Sequence, residues 1–297
     1  MIQFTKIRWI MISLSFVLIF SGIGTTIAKG GFNLGIDFEA GLTQRLVIDK
    51  DDVNIEELRS ALSGFEGLQV QTMGGVNEFQ IRVKDTGEEN FQEMAKAKIG
   101  EELSSVFGAS SITIRGSEYV GPRFSQGLTT NTVWLIVLTL SIILIYIWFR
   151  FKLAYAVSAV VATLHDLIIM IGFIGATGME VSTATIAAIL TIIGYSLNDT
   201  IVVFDRIREN RSIMKDSDLP TIVNTSITQS LSRTIITSLT TLIAVLAIYF
   251  FTSGDIQNFA LALVIGIVVG TYSSIFIASP VFMGLTKLIG EKNVEKS

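Results

Sequence analysis

Apolar residues fill one long run near the start of the chain, thin out over residues 29–131, and then dominate almost to the end. Nearly uncharged runs of about 18 residues or more are long enough to cross a bilayer as helices. Six such runs predict transmembrane spans over 9–28, 132–149, 154–176, 183–204, 234–252 and 258–286. An even number of spans puts both termini on one side. The first run reads as an uncleaved anchor rather than a signal peptide: its apolar stretch outruns a signal core, and "TTIAKGG" is a poor small-x-small cleavage site.

Between the first two spans the periodicity changes. "LTQRLVID" alternates apolar and polar positions, and "VNIEELRSALS" has helical spacing with Asn54 as N-cap. "LQVQTM" and "EFQIRVK" are period-two strands joined by the hairpin signal "GGVN". "NFQEMAKAKIGEELSSVF" is helical and "SITIRGSEYV" is a last strand. The order β-α-β-β-α-β is that of a ferredoxin-like, split βαβ domain. The expected fold class is therefore an α-helical membrane protein with six spans and one extracytoplasmic α+β domain between spans 1 and 2. The predicted divisions are 1–28 (N-terminus and first span), 29–131 (α+β domain), 132–286 (five-span bundle with a loop at 205–233) and 287–297 (tail).

Charge sets the orientation. Lys6 and Arg8; Arg150 and Lys152; Arg206, Arg208, Arg211, Lys215 and Arg233; and Lys287, Lys292 and Lys296 all fall on one side of the six spans. The short segments 177–182 and 253–257 on the other side hold no Lys or Arg. The positive-inside rule makes the first side cytoplasmic and places 29–131 outside. Trp134, Tyr146 and Trp148 bracket the second span as interfacial aromatics.

Composition narrows the chemistry. Cysteine is absent, which excludes disulfides and thiolate-bound metal, and a single His argues against a His-rich metal centre. No cofactor is expected. The α+β domain has no His and no Gly-rich phosphate loop, and Glu88, Glu89, Glu101 and Glu102 fall on helix surfaces or turns. A binding or levering module fits it better than an enzyme.

Polar residues inside the spans are the candidate sites, because a charged side chain at the bilayer centre costs several kcal/mol on insertion scales. The third span holds His165 and Asp166, the fourth holds Asn198 and Asp199, and Arg233 opens the fifth. His165 and Asp166 could equally orient the bundle by pairing with neighbouring helices, and Arg233 could snorkel to the headgroups. Asp199 sits among Gly194, Tyr195, Ser196 and Asn198, so its helix is polar on more than one face. Desolvation favours a neutral acid and an approaching Arg favours the carboxylate, the combination a proton-loading group needs.

Two further patterns carry expectations. "DLPTIVNTSITQSLSR" has Asp218 as cap, Pro220 in the first turn, and Val223, Ile227 and Leu231 at i+4 spacing. It reads as an amphipathic helix lying on the membrane surface. Gly266 with Gly270, and Gly172 with Ala176, are small-xxx-small pairs for close helix contact, within this chain or with a partner.

"TIAAILTIIGYSLNDTIVVFDRIRENR" resembles the fourth-span signature of the SecF family of bacterial protein-translocase subunits. "NLGIDFEAG" resembles that family's motif after the first span, and "SLSRTIITSLTT" the start of its fifth span. Gly35, Asp37 and Gly41 match the motif, whereas Ala40 stands where the family pattern has Gly. The resemblance covers the whole chain and implies membership of the resistance-nodulation-division superfamily of proton-driven machines. It implies a twelve-span complex with SecD, association with the SecYEG translocon, YajC and YidC, and use of the proton gradient to draw translocating preprotein outward across the bilayer. It also implies that Asp199 is the proton-carrying aspartate and Arg233 its partner.

Two other readings compete. A proton-driven exporter of small molecules or lipids from the same superfamily would usually carry both six-span halves in one chain. An intramembrane aspartyl protease would use Asp166 and Asp199, but such a dyad must share a proton.

Overall fold

The computed structural model describes residues 3–50 and 53–294. The extreme N-terminus and the tail beyond 294, Lys296 included, lie outside the described residues. The described residues are mostly helical, with one small antiparallel sheet and, among them, six helical stretches long and apolar enough to cross a membrane. The first is α1 (Arg8–Ala28).

The α/β domain follows. Strand β1 (Gly41–Ile48) leads to α2 (Ile55–Ala61), β2 (Gln69–Thr72), β3 (Glu78–Lys84), α3 (Phe91–Phe107) and β4 (Ile112–Val120). The sheet order is β2-β3-β1-β4 with every pairing antiparallel. That is the ferredoxin-like arrangement the strand and helix periods predict. Asn54 caps α2 by accepting from Glu56 N at 3.0 Å. In the hairpin, Asn77 supplies the left-handed turn residue.

Period two decides the two faces of this sheet. Leu42, Leu46, Phe79, Ile81 and Val83 pack under Leu58, Leu62, Ile99 and Leu103 of the two helices. Thr43, Gln80 and Arg82 alternate with them and are also buried, on the face turned away from the helices. Gly41 is required where β1 begins, because a Cβ there would stand 2.3 Å from Val83 O.

The bundle consists of α4 (Pro122–Arg150), α5 (Leu153–Thr177), α6 (Thr183–Ile213), α7 (Leu219–Phe251), α8 (Gly254–Ser273) and α9 (Ser279–Val294). Helices α8 and α9 are joined by a π-helical widening over Ser274–Ala278 and together make the sixth membrane-length stretch. Pro280 lacks an N–H and crowds the preceding turn, which accounts for the widening. The small-residue pairs are used within the chain. Gly266 and Gly270 of α8 face Ile192 and Ser196 of α6, and Gly172 of α5 meets the backbone of Gly22 in α1.

One expectation fails. The stretch expected as a 205–233 loop with a helix lying on the membrane is instead the end of α6, a short connection, and the first turns of α7. Asp218 does cap the helix, accepting from Thr221 N at 3.3 Å, but no breaker separates Thr221 from Phe251. Val223 and Ile227 are buried against a core that includes Phe204, Ile207 and Phe282, so their apolar stripe meets protein rather than lipid. An i+4 stripe reports a buried face without saying what buries it.

Candidate functional site

The membrane-spanning polar residues form two separate constellations. The first surrounds Asp166 on α5, which is 2% exposed. Its Oδ1 lies 2.9 Å from His165 Nδ1, while Oδ2 accepts from Ser196 Oγ at 2.5 Å and Ser273 Oγ at 2.7 Å. His165 Nε2 lies 2.9 Å from Ser15 Oγ of α1, and Ser15 lies 2.9 Å from Tyr272 Oη. Tyr272 donates to Met11 O at 2.5 Å. Four elements, α1, α5, α6 and α8, therefore meet through one hydrogen-bonded network. Both oxygens of Asp166 are matched by partners, which is what a buried carboxylate needs to be tolerated.

The second surrounds Asp199, one turn beyond Ser196 on α6 and 3% exposed. Ser238 Oγ of α7 donates to its Oδ2 at 3.3 Å, and Ser238 lies 2.7 Å from Thr271 Oγ1 of α8. This is sparse provision for a buried carboxylate. Arg233 lies within electrostatic reach of Asp199, yet among the described residues no ion pair joins them. Arg233 and Asn198 are exposed instead to a polar cleft of about 430 Å³ between α6 and α7, shared with Asp205, Arg206, Glu209 and Gln229. The cleft thus runs from the Arg-rich end of the bundle to the residue next to Asp199.

Asp166 and Asp199 do not form a dyad: among the described residues no hydrogen bond links their carboxyls, and each is served by its own hydroxyls. The shared-proton geometry of an aspartyl protease is not built here.

The motif after α1 has a structural task at the other end of the bundle. Asp37 Oδ2 accepts from Thr183 N at 2.8 Å and Thr183 Oγ1 at 2.9 Å, holding the first turn of α6. Gly35 N donates to Val181 O at 2.8 Å, and a Cβ at Gly35 would press within 3 Å of that oxygen. Gly41 serves the sheet, as above. Ala40, the departure from the family pattern, accepts from Asp85 N at 2.9 Å through its backbone, so the turn is kept without a second glycine.

Sequence reasoning missed the hydroxyls Ser15, Ser238 and Ser273, and it grouped Ser196 with Asp199, whereas Ser196 bonds Asp166. Serine is common in membrane helices, and only the helix neighbours reveal which ones face a carboxylate. It also passed over Glu180, although an acidic residue in a short connection devoid of Lys and Arg was a signal available in the sequence.

Residues 91–288 match the family model described as protein export membrane protein SecD/SecF, C-terminal. The chain is 40% identical to the protein translocase subunit SecF of Borreliella burgdorferi over 97% of its own length and 98% of that protein's. It is also 40% identical, over 86% of its length, to the protein translocase subunit SecDF of Thermus thermophilus, of which it spans 35%. The crystal structure of SecDF from Thermus thermophilus, described as a translocon-associated membrane protein, superposes with a TM-score of 0.83 at 36% identity. That match covers 96% of this chain and 39% of the solved one.

Proposed function

Because the chain belongs to the SecD/SecF family of protein export membrane proteins, we propose that it is the SecF-type half of a proton-driven machine that helps preprotein cross the bacterial cytoplasmic membrane. Its role is Sec-associated protein export, as its relatives are named protein translocase subunits. Its partner is SecD, a pairing supported by relatives in which SecD and SecF are one chain. SecYEG, YajC and YidC are the further partners of the assembly. It is not an enzyme, and the energy source is the proton gradient rather than a cofactor.

The orientation follows from the Arg-rich end of the bundle. Asp205 lies 3.4 Å from Arg208 and 3.7 Å from Arg150 there, far from the α/β domain along α4 and α6. Placing that end in the cytoplasm leaves the α/β domain outside, free to meet emerging preprotein.

One observation carries the mechanism: Asp199 is buried among three helices with a single long hydroxyl contact, beside a cleft that holds a cation. A carboxylate so poorly provided for is stable when it carries a proton. When it loses the proton it must gain a partner, and Arg233, within electrostatic reach and exposed to the cleft, is the one we assign. Proton loading and release therefore favour different packings of α6 against α7 and α8. A charge crossing the membrane potential supplies about 2.3 kcal/mol per 100 mV, enough for a modest shift between two packings.

The test uses the SecD-bound chain in sealed vesicles with an imposed gradient. Asp199→Asn keeps the shape and removes the titration, so the complex should assemble while gradient-driven export and proton flux fall to background. Wild-type flux and export in this variant would make the carboxylate structural and end the proposal.

A further inference from the structure

The α/β domain is held to the bundle at the ends of the same helices that build the Asp199 site. Arg82, on the polar face of β3, is ion-paired with Glu180 in the α5–α6 connection, and both side chains are nearly fully buried, at 7% and 6% exposure. Arg82 Nη1 also donates to Leu34 O and Gln69 Oε1, each at 3.0 Å. Three residues past Glu180, the backbone of Thr183 begins α6 and is gripped by Asp37. Backbone bonds Gly35 N to Val181 O and Val181 N to Asn33 O, both 2.8 Å, complete the seam. A second touch lies at the hairpin tip between β2 and β3, where Gly74 abuts Ser253 in the α7–α8 connection and Met73 abuts Gly254, the first residue of α8.

The seam is polar. A buried ion pair adds little to stability, because removing two charges from water offsets their attraction, but it fixes geometry in one direction and register. Among the described residues Arg82 Nε has no hydrogen-bond partner, so the guanidinium is positioned rather than fully satisfied. Ile36 and Met179, next to these residues in the chain, are buried and supply apolar packing. The ion pair ties β3 to the residues just before α6, from which an unbroken helix runs to Asp199. The hairpin tip meanwhile bears on α7 and α8, the helices that bring Ser238 and Thr271 to that carboxylate.

We propose that Arg82 and Glu180, seated by Asp37 on Thr183, are positioning residues that couple the α/β domain to α6, so that a repacking of α6 at Asp199 swings the domain. The inference rests on the proton-driven reading above and assigns the transmission step that reading leaves open.

The experiment uses the full chain with SecD in vesicles and compares Arg82→Glu, Glu180→Arg and the double exchange. The chain has no cysteine, so Ser63→Cys on the domain and Thr177→Cys at the end of α5, both exposed, accept a pair of spin labels for distance measurement. Each single variant should keep proton flux through Asp199, broaden the label-to-label distance distribution, and lower gradient-driven export about tenfold. The double exchange should narrow the distribution and restore at least half of the export. Unchanged export in the singles would overturn the coupling, even if the distribution broadens, since the pair would then only attach the domain. A double exchange that rescues neither readout would overturn it as well. Failure of the proton reading is distinguished by Asp199→Asn, which abolishes flux if that reading holds and leaves the distance experiment interpretable if it does not.

Discussion

Two buried carboxylates lie one helix apart in this bundle and are treated in opposite ways. Asp166 has His165, Ser196 and Ser273 around it and ties four elements together. Among the described residues Asp199 has one hydroxyl, at 3.3 Å, and no ion pair with Arg233. A buried charge that is fully bonded rigidifies its surroundings, whereas a partly bonded one leaves its helices a reason to move when it titrates. The difference lies in the partners provided, an imidazole and two hydroxyls against one long hydroxyl contact, since both residues are aspartates on neighbouring apolar helices. Asp166 is read as the fixed point of the bundle and Asp199 as its moving part.

The sharpest way to break this contrast is to neutralise each carboxylate and measure both work and stability. Asp199→Asn should lose gradient-driven export to background while its melting temperature in detergent stays near that of the wild type. Asp166→Ala leaves His165 and two serines facing an empty site, and should cost about 3 kcal/mol of stability. Thermal scanning would show this as a lowered transition together with reduced recovery of the SecD complex. If the two variants exchanged phenotypes, the assignment of fixed and moving parts would be reversed.

The hydroxyls sharpen the comparison at smaller scale. Ser196→Ala and Ser273→Ala should each cost about 1 kcal/mol, and their sum should differ from the double variant because they share one oxygen of Asp166. Ser238→Ala removes a long bond and should cost less in stability than either, by chemical denaturation of the same preparations. Arg233→Lys keeps the charge near Asp199 but loses the planar fork, so export should fall less than in Arg233→Ala. Equal losses would mean that the guanidinium geometry, and not the charge, is what Asp199 uses.

The smallest effect concerns the seam. Burial pushes the Glu180 carboxyl above its ordinary value, with Arg82 pulling it down and Asp255 and Asp37 adding to the rise. The folded chain then holds a proton more readily than the unfolded one, so the stability contributed by this group is fully present below the ordinary Glu range. It is lost as pH rises through the raised value and is flat above it. Glu180→Gln should remove that acid-side slope in a pH series of melting temperatures. A slope that persists unchanged in the variant would belong to another group.

Much of this architecture was legible from period alone. Alternation in "EFQIRVK" predicted β3, Asn54 predicted the start of α2, and the apolar runs predicted six membrane helices. Asp199 stood out as a carboxylate inside an apolar run before any neighbour was known, and the resemblance of its span to the family signature implied a role for it. The helix before Arg233 was misplaced because Val223 and Ile227 show a stripe that either lipid or protein could cover, and Pro220 starts a helix without marking where it stops.

What the sequence determined by itself was local: which segments are helix or strand, where they cap, and which charges stand inside apolar runs. Those follow from spacing, propensity and the cost of burying charge, all readable along one dimension. Only the tertiary structure decided which aspartate is caged and which is left wanting, because Ser273 and Ser238 reach them from helices far away in the chain. It likewise decided that Arg82, an alternate residue on an ordinary strand, is buried against Glu180, a partner 98 positions away. Hydrogen bonds and ion pairs act over a few ångströms, and no one-dimensional pattern records which distant residues folding brings that close.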